Sequence, residues 1–144
     1  MDKKGVTLIE LLVVMVIIAI GATLATPNIG GWLTNYRLRS AARDLASNLR
    51  LAQIKAVSGN TRYQVVFDTA NSSYIVQYRS TGGAYVTEGV TQILPSGVTF
   101  NTDFGNTVRF LPSSSVENTG EINISNTKGS IKKIRLQSGR IKIE

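Results

Sequence analysis

The sequence has 144 residues and a formal charge of +7, from 16 Lys and Arg against 9 Asp and Glu, and it contains neither Cys nor His. This length suits one small domain plus an appended segment, and the missing residue types exclude disulfides, thiolate nucleophiles, imidazole bases and the usual zinc sites. The positive charge predicts an anionic partner, whether lipid headgroups, nucleic acid or an acidic protein, although many basic proteins bind no nucleic acid.

An apolar segment, residues 6–25, comes first in the chain. It contains three polar residues, Thr7, Glu10 and Thr23. As a helix with a rise of about 1.5 Å per residue, the segment would measure roughly 30 Å, enough to cross one hydrocarbon core. Lys3 and Lys4 precede it, so the positive-inside tendency predicts a cytoplasmic N-terminus and export of the rest of the chain.

A secretory signal peptide is the alternative interpretation of the apolar segment. The stretch "GATLATP" would then supply a weak cleavage site of small residues. Glu10 argues against this alternative, because a charge within the apolar region costs roughly 2.5 to 3.5 kcal/mol on insertion scales. Because the charge is so costly in the apolar segment, we expect the Glu10 carboxylate to pair with a positively charged group.

The stretch "KKGVTLIELLVVMVIIAIGATLATP" closely resembles the class III signal and first helix of type IV pilins and type II secretion pseudopilins. The resemblance implies that a prepilin peptidase cleaves after Gly5 and methylates the new N-terminus at Val6. The glutamate of the family's motif matches Glu10, and the proline that ends the hydrophobic half of its helix matches Pro27. The chain departs from the family at its first mature residue, which is usually Phe and is Val6 here.

The same resemblance offers a partner for Glu10. The resemblance implies that the glutamate of an incoming subunit neutralises the N-terminal amine of its neighbour, which sets the axial register of the fibre. Two opposite charges in a low-dielectric bundle cost less paired than apart, which agrees with this role. The alternative is that Glu10 reaches only the amine of its own Val6, one helical turn away.

An amphipathic helix is predicted over residues 28–58, after a weak point at Gly30 and Gly31. Its core-facing stripe follows from a three- and four-residue spacing of apolar residues, namely Leu38, Ala42, Leu45, Leu49, Ala52 and Ala56. Its basic residues lie largely off this stripe, namely Arg37, Arg39, Arg43, Arg50 and Lys55. They would bind an anion, or they form a solvated face or contacts with neighbouring subunits. Gly59 and Asn60 follow as a left-handed cap.

Strands and turns are predicted over residues 59–144. The stretches "TRYQVVFD" and "SYIVQYR" predict a hairpin, and shorter strands are predicted at "AYVT", "TQIL", "VTFN", "TVRFL", "EINIS", "KKIRL" and "RIKIE". The predicted class is α+β, with a long N-terminal α-helix, made of a transmembrane half and an amphipathic half, packed on a small antiparallel β-sandwich. The predicted domains are a leader at 1–5, a transmembrane and assembly helix at 6–27, an amphipathic helix at 28–58 and a globular domain at 59–144.

The globular part narrows the resemblance. The stretch "ARDLASNLRLAQIKAVSGNTRYQVVF" and the terminal "SGRIKIE" resemble the minor pilin and pseudopilin branch called FimT/GspH. Major pilins resemble the chain less well, because they usually close a C-terminal loop with a Cys pair that this sequence lacks.

A basic hairpin is predicted at residues 132–144, "KKIRLQSGRIKIE", with a turn at Ser138 and Gly139. Alternation places apolar side chains on one face, namely Ile134, Leu136, Ile141 and Ile143, and cations on the other, namely Lys133, Arg135, Arg140 and Lys142. In this register Arg135 lies opposite Lys142, a like-charge pair that costs stability unless an anion joins it. Lys133 lies opposite Glu144.

Some members of the FimT branch bind DNA for uptake through a C-terminal Gly-Arg-x-Arg motif. Residues 139–142 of this chain match that motif, except that Lys142 replaces the second Arg. Lys serves nearly as well for non-specific phosphate contacts and less well for bidentate ones. The alternative is that these cations protect an edge strand from aggregation.

The resemblance implies a minor pilin or pseudopilin assembled into a type IV pilus or its tip, held first in the bacterial inner membrane with its C-terminal domain in the periplasm. Its partners would be other pilin or pseudopilin subunits, the prepilin peptidase, the inner membrane and, through the basic hairpin, double-stranded DNA. The alternative is a type II secretion minor pseudopilin, similar to GspH, without DNA binding. The basic C-terminus favours the pilus.

An anchored enzyme is the third hypothesis for the chain. It is disfavoured, because the chain lacks His and Cys and because no spacing pairs its carboxylates for acid-base chemistry, namely Asp44, Asp68, Glu88, Asp103, Glu117 and Glu121. We therefore expect no cofactor, no metal and no small-molecule substrate.

Overall fold

The structure is a computed structural model that describes residues 5–24, 29–137 and 139–144. The chain divides into two units, residues 1–32 and residues 33–144. The described elements are the helices α1 (Leu8–Leu24) and α2 (Ile29–Ser58) and the strands β1 (Tyr63–Asp68), β2 (Ser73–Arg79), β3 (Tyr85–Ile93), β4 (Val98–Thr102), β5 (Thr107–Phe110), β6 (Gly120–Asn126), β7 (Ile131–Gln137) and β8 (Arg140–Ile143).

Helix α1 is apolar and exposed on every side. All described side chains from residue 5 to residue 23 are exposed, and the helix starts at Leu8, so Val6 precedes it. The helix therefore begins at Leu8, two residues after the predicted start, and residues 25–27 of the predicted span lie outside the described residues. Over the residues that the structure describes, no helix combines the length and apolar content needed to cross a membrane.

Helix α2 packs on the sheets through the stripe predicted from the sequence. All six predicted stripe residues are buried, and Ala41 and Ala46 join them. Five of these eight core residues are alanines. Gly30 and Gly31, where the sequence predicts a weak point, lie in the first turn of α2.

The C-terminus of α2 is closed by a Schellman motif. Asn60 has a left-handed φ of 47°, and its N–H donates to the carbonyl of Val57 at 3.3 Å. The N–H of Thr61 donates to the carbonyl of Ala56 at 3.1 Å, which completes the pair of bonds that define the motif. The cap turns the chain directly from the helix into β1.

Two antiparallel sheets of four strands each form the globular part, in the orders β3-β2-β1-β5 and β4-β6-β7-β8. The predicted hairpin of β1 and β2 is confirmed, with Val65 opposite Val76. The strands predicted separately at "AYVT" and "TQIL" are one strand, β3. Gly89, with a φ of 81°, lies where the pairing register of β3 with β2 shifts, so it marks a bulge within the strand and not a turn.

One hydrophobic core joins α2 to both sheets. Phe67 of β1 and Phe100 of β4 make an edge-to-face contact across the sandwich, with ring centroids 5.4 Å apart and an interplanar angle of 76°. Ile122 and Ile134 fill the second sheet's inner face and are fully buried. The predicted α+β class, with a helix packed on a small antiparallel sandwich, is confirmed.

Candidate functional sites

The N-terminal segment begins with an N-cap at Thr7. The N–H of Glu10 donates to the Thr7 hydroxyl at 3.3 Å and to the Thr7 carbonyl at 3.1 Å. This is the Thr half of a capping box, in which a Thr or Ser is followed three residues later by Glu. The Glu10 carboxylate also lies in the first turn of α1, where the positive end of the helix dipole favours a negative charge.

Thr7 is a helix-capping residue that the sequence interpretation missed. The signal was present, because "TLIE" immediately before an apolar run is the pattern of a capping box. Because the cap uses only the backbone N–H of Glu10, the carboxylate oxygens stay free of it. Among the described residues, the Glu10 carboxylate has no hydrogen-bond or ion-pair partner.

The expected cleavage site is open. A Cβ built on Gly5 would meet no atom within 4 Å, and Val6 is 73% exposed. A peptidase would therefore find the bond between these two residues outside any helix and unobstructed by the described residues. The fourth residue of the predicted N-terminal set, Pro27, lies outside the described residues.

The predicted register of the basic hairpin is confirmed. Arg135 lies opposite Lys142 and Leu136 opposite Ile141, and the backbones of Lys133 and Glu144 exchange hydrogen bonds of 3.1 and 2.8 Å. The predicted apolar face is buried at Ile134, Leu136 and Ile141 and about one-third exposed at Ile143. Ser138, the first residue of the predicted turn, lies outside the described residues, and Gly139 has a left-handed φ of 76°.

The anion that the like-charge pair requires comes from the chain itself. Arg135 binds Glu121 of the neighbouring strand β6 at 2.7 Å and Glu144 at 3.2 Å. Lys133 approaches the second oxygen of Glu121 at 3.5 Å. The hydrogen bond from Arg135 holds the pKa of Glu121 below its usual value, and the same bond raises the pKa of Arg135.

The ion pairs divide the predicted cation set into two halves. Lys133 and Arg135 are neutralised by carboxylates on the same face of the sheet. Arg140 and Lys142 are exposed on that face, and no carboxylate of the described residues forms an ion pair with either. Glu121 is the residue that the sequence interpretation missed here, because its effect depends on β6 lying beside β7.

A second basic feature lies on the opposite side of this sheet. An open cavity of about 380 Å³ between α2 and the basic hairpin is lined by Arg39, Ala42, Arg43, Lys132 and Ile143. We call it the basic cavity. The other predicted α2 cations bind elsewhere: Arg37 to Ser96 at 3.1 Å, Arg50 to the Ile141 carbonyl at 3.1 Å and Lys55 to Glu88 at 2.8 Å.

The remaining carboxylates serve local structure. Glu117 lies 3.9 Å from Arg62 and 3.6 Å from Arg109. Asp68 accepts bonds within the turn between β1 and β2, and the side-chain bond from Asn71 lowers its pKa. Asp103 accepts the N–H of Glu121 at 2.8 Å. Among the described residues, no three potential metal ligands come together.

An exposed apolar N-terminal helix, preceded by an open glycine site and followed by a helix packed on antiparallel sheets, defines a pilin-like subunit. The prokaryotic N-terminal methylation motif matches residues 1–26, and the family model of type II transport protein GspH matches residues 41–139. The chain belongs to the GspH family, a family of structural pilin and pseudopilin subunits and not a known enzyme family.

Known proteins agree with this assignment at the level of sequence and fold. Type II secretion system protein H of Xanthomonas campestris pv. campestris is 32% identical over 65 residues, which cover 45% of this chain and 38% of that protein. The chain thus aligns with about two-fifths of the relative's length.

Solved structures of two other proteins illustrate the shared fold. The minor pseudopilin EpsH from the type 2 secretion system of Vibrio cholerae has a TM-score of 0.67 at 12% identity, over 75% of this chain and 96% of that one. The type IV minor pilin FimU of Pseudomonas aeruginosa has a TM-score of 0.63 at 17% identity, over 76% and 90%. At these identities the likeness shows the fold alone.

Proposed function

We propose that the chain is a minor pseudopilin of a type II secretion system, processed after Gly5 and then assembled with other pseudopilin subunits. The observation that carries the proposal is the match of residues 41–139 to the GspH family. The methylation motif at residues 1–26 supports processing by a prepilin peptidase with methylation of Val6.

Helix α1 supports an assembly role because all of its described side chains are exposed and nearly all are apolar. A helix that is apolar on all sides is stable when it is surrounded by other apolar groups, in a bilayer or in a bundle of like helices. Storage in the inner membrane, with the globular part in the periplasm, rests on the apolar segment of residues 6–25 rather than on the 17 residues of α1 alone.

Glu10 is proposed to set the axial register of neighbouring subunits in the assembly. Its carboxylate carries a charge on the apolar helix and is exposed, and Thr7 caps the backbone beside it. In a bundle of such helices an unpaired carboxylate is costly, and the amine that cleavage creates at Val6 of a neighbour would compensate it. Pro27 is proposed to end the apolar half, as the family resemblance implies.

A minor pilin of a type IV pilus is the second candidate, supported by the fold likeness to FimU. DNA binding through Lys133, Arg135, Arg140 and Lys142 stays a prediction within this candidate. The ion pairs of Lys133 and Arg135 with Glu121 count against it, because a phosphate would have to displace a carboxylate that is already in place.

A gene deletion separates the two candidate functions. The gene is deleted in a host that has both a type II secretion system and type IV pili, and the full chain is then supplied again. We expect secretion of type II substrates to fail without the chain while surface pili stay normal. Loss of pili with normal secretion would favour the second candidate, and no effect on either would contradict both.

A band-shift assay tests the prediction of DNA binding. The detergent-solubilised full chain is titrated with duplex DNA at low salt. The matched variant combines Arg140→Glu with Lys142→Glu, because these two cations are exposed and have no described ion pair. Unmeasurable affinity, or an affinity that this variant leaves unchanged, would remove DNA as a ligand of the basic hairpin.

A further inference from the structure

The basic cavity brings cations from two elements to one concave surface. Arg39 and Arg43 lie one turn apart on α2, and Lys132 lies near the start of β7. Lys132 is two and four positions before the buried Ile134 and Leu136 on the same strand. Because side chains alternate between the two faces of a strand, Lys132 lies on the side of the sheet that faces the helix. Ala42 and Ile143 complete the lining.

No carboxylate of the globular part balances this charge. Among the described residues, neither Arg39, Arg43 nor Lys132 takes part in any ion pair. The four glutamates of residues 33–144 all pair with other cations, namely Glu88, Glu117, Glu121 and Glu144. The three aspartates accept bonds from nearby serine, asparagine and backbone groups, at Asp44, Asp68 and Asp103.

The arrangement is unfavourable for the chain alone. Like charges at positions i and i+4 of a helix repel each other, and Lys132 adds a third positive charge to the same cavity. The outer face of the same sheet is different, because there Glu121 and Glu144 hold Arg135. An anion from another molecule would relieve the repulsion among the cations of the basic cavity.

We infer that the basic cavity receives an Asp or Glu side chain of a neighbouring subunit in the assembly. The inference rests on the proposed function, because it requires a neighbour. Guanidinium groups bind carboxylates through two parallel hydrogen bonds, and the apolar side chains of Ala42 and Ile143 suit the methylene groups of an acidic side chain. Duplex DNA fits less well, since its phosphates line the outside of a wide rod that cannot enter a concave space of this size.

Charge reversal of the two arginines tests the inference. The variant combines Arg39→Glu with Arg43→Glu, and the matched control combines Arg140→Glu with Lys142→Glu, which makes the same change in net charge on exposed residues outside the cavity. Each full chain is produced in its native host, cross-linked in membranes and recovered with the co-produced pseudopilin subunits. We expect recovery with those subunits to fall roughly tenfold or more for the cavity variant, equivalent to about 1.4 kcal/mol, and to stay unchanged for the control.

Charge exchange identifies the chemistry of the partner group. Each exposed Asp and Glu of the co-produced subunits is replaced by Lys in turn and combined with the cavity variant. We expect one such replacement to restore recovery, while the milder pair of Arg39→Lys and Arg43→Lys loses only part of it.

Three outcomes would overturn the inference: normal recovery of the cavity variant, an equal loss in the control, or no restoring replacement in any subunit. A loss of duplex DNA binding in the cavity variant with normal recovery would instead assign the cavity to nucleic acid. If the unmodified chain is itself not recovered with the pseudopilin subunits, the proposed function fails, and that result is distinct from a failure of the cavity alone.

Discussion

Truncation of Leu49 to Ala should destabilise the globular part far more than the same truncation of Leu51. The two residues are two positions apart on α2, but Leu49 is fully buried and Leu51 is 49% exposed. Truncation of a buried Leu removes its transfer free energy and leaves a cavity, which together cost about 2 to 5 kcal/mol. At Leu51 half of the side chain is already in water, so we expect a cost of about 1 kcal/mol or less.

The pair is a matched comparison because both substitutions are Leu→Ala within one helix, so the small gain in helix propensity from Ala is the same in each. Urea unfolding of the detergent-solubilised full chain gives the free energies. Near-ultraviolet circular dichroism of the buried Tyr63 and Tyr74 reports on the packing of residues 33–144. The difference is taken from the midpoints, provided that the slope with urea is the same in all three proteins.

Equal shifts for the two variants would refute the reasoning. Such a result would mean that α2 does not present Leu49 to the sheets, and the shared core of helix and sandwich would be wrong. The basic cavity would then be misplaced as well, because the positions of Arg39 and Arg43 depend on which face of α2 is buried.

Gly5→Ala should leave the precursor uncut in mass spectrometry, because the peptidase is expected to require glycine at the cleavage site. Gly30→Ala is the matched control and should be processed normally; at both positions the added methyl group meets no atom within 4 Å, so the two substitutions differ only in their place in the chain. Glu10→Ala should still reach the membrane but enter the assembly poorly in cross-linking; normal incorporation would argue against charge neutralisation. Because the pKa of Glu121 is lowered from 4.5 in the folded chain, its stabilising effect is complete above that value and is lost as the pH falls through the lowered pKa. Unfolding midpoints measured from neutral to acidic pH should therefore converge for the unmodified chain and Glu121→Gln only below about pH 4.5; a constant gap would show that the ion pair with Arg135 is not the cause.

Local patterns were enough to predict much of the fold. The three- and four-residue spacing on α2 identified buried residues such as Leu45, because helix periodicity alone decides which side chains share a face. The register of the basic hairpin followed in the same way from strand alternation and a two-residue turn, and it placed Arg135 opposite Lys142 as observed.

The charge balance of the two basic surfaces depends on contacts between distant residues. The pairing of Glu121 with Arg135 requires β6 to lie beside β7, and the basic cavity requires α2 to cross the inner side of the hairpin. Neither neighbour relation has a signal in local spacing. The bulge at Gly89 was missed for a related reason, since a glycine between two short apolar runs is typical of a turn as well as of a kinked strand.

The Schellman cap of α2 has a mechanical consequence. Four residues separate the end of α2 at Ser58 from the start of β1 at Tyr63, and backbone bonds to Ala56 and Val57 hold the first part of this link. A force applied along the axis of α2 would therefore act as shear on the interface between the helix and the sheets. The buried side chains of the whole stripe would oppose this force at the same time. The buried stripe and the short link to β1 would therefore carry a force applied to α2 into the globular part.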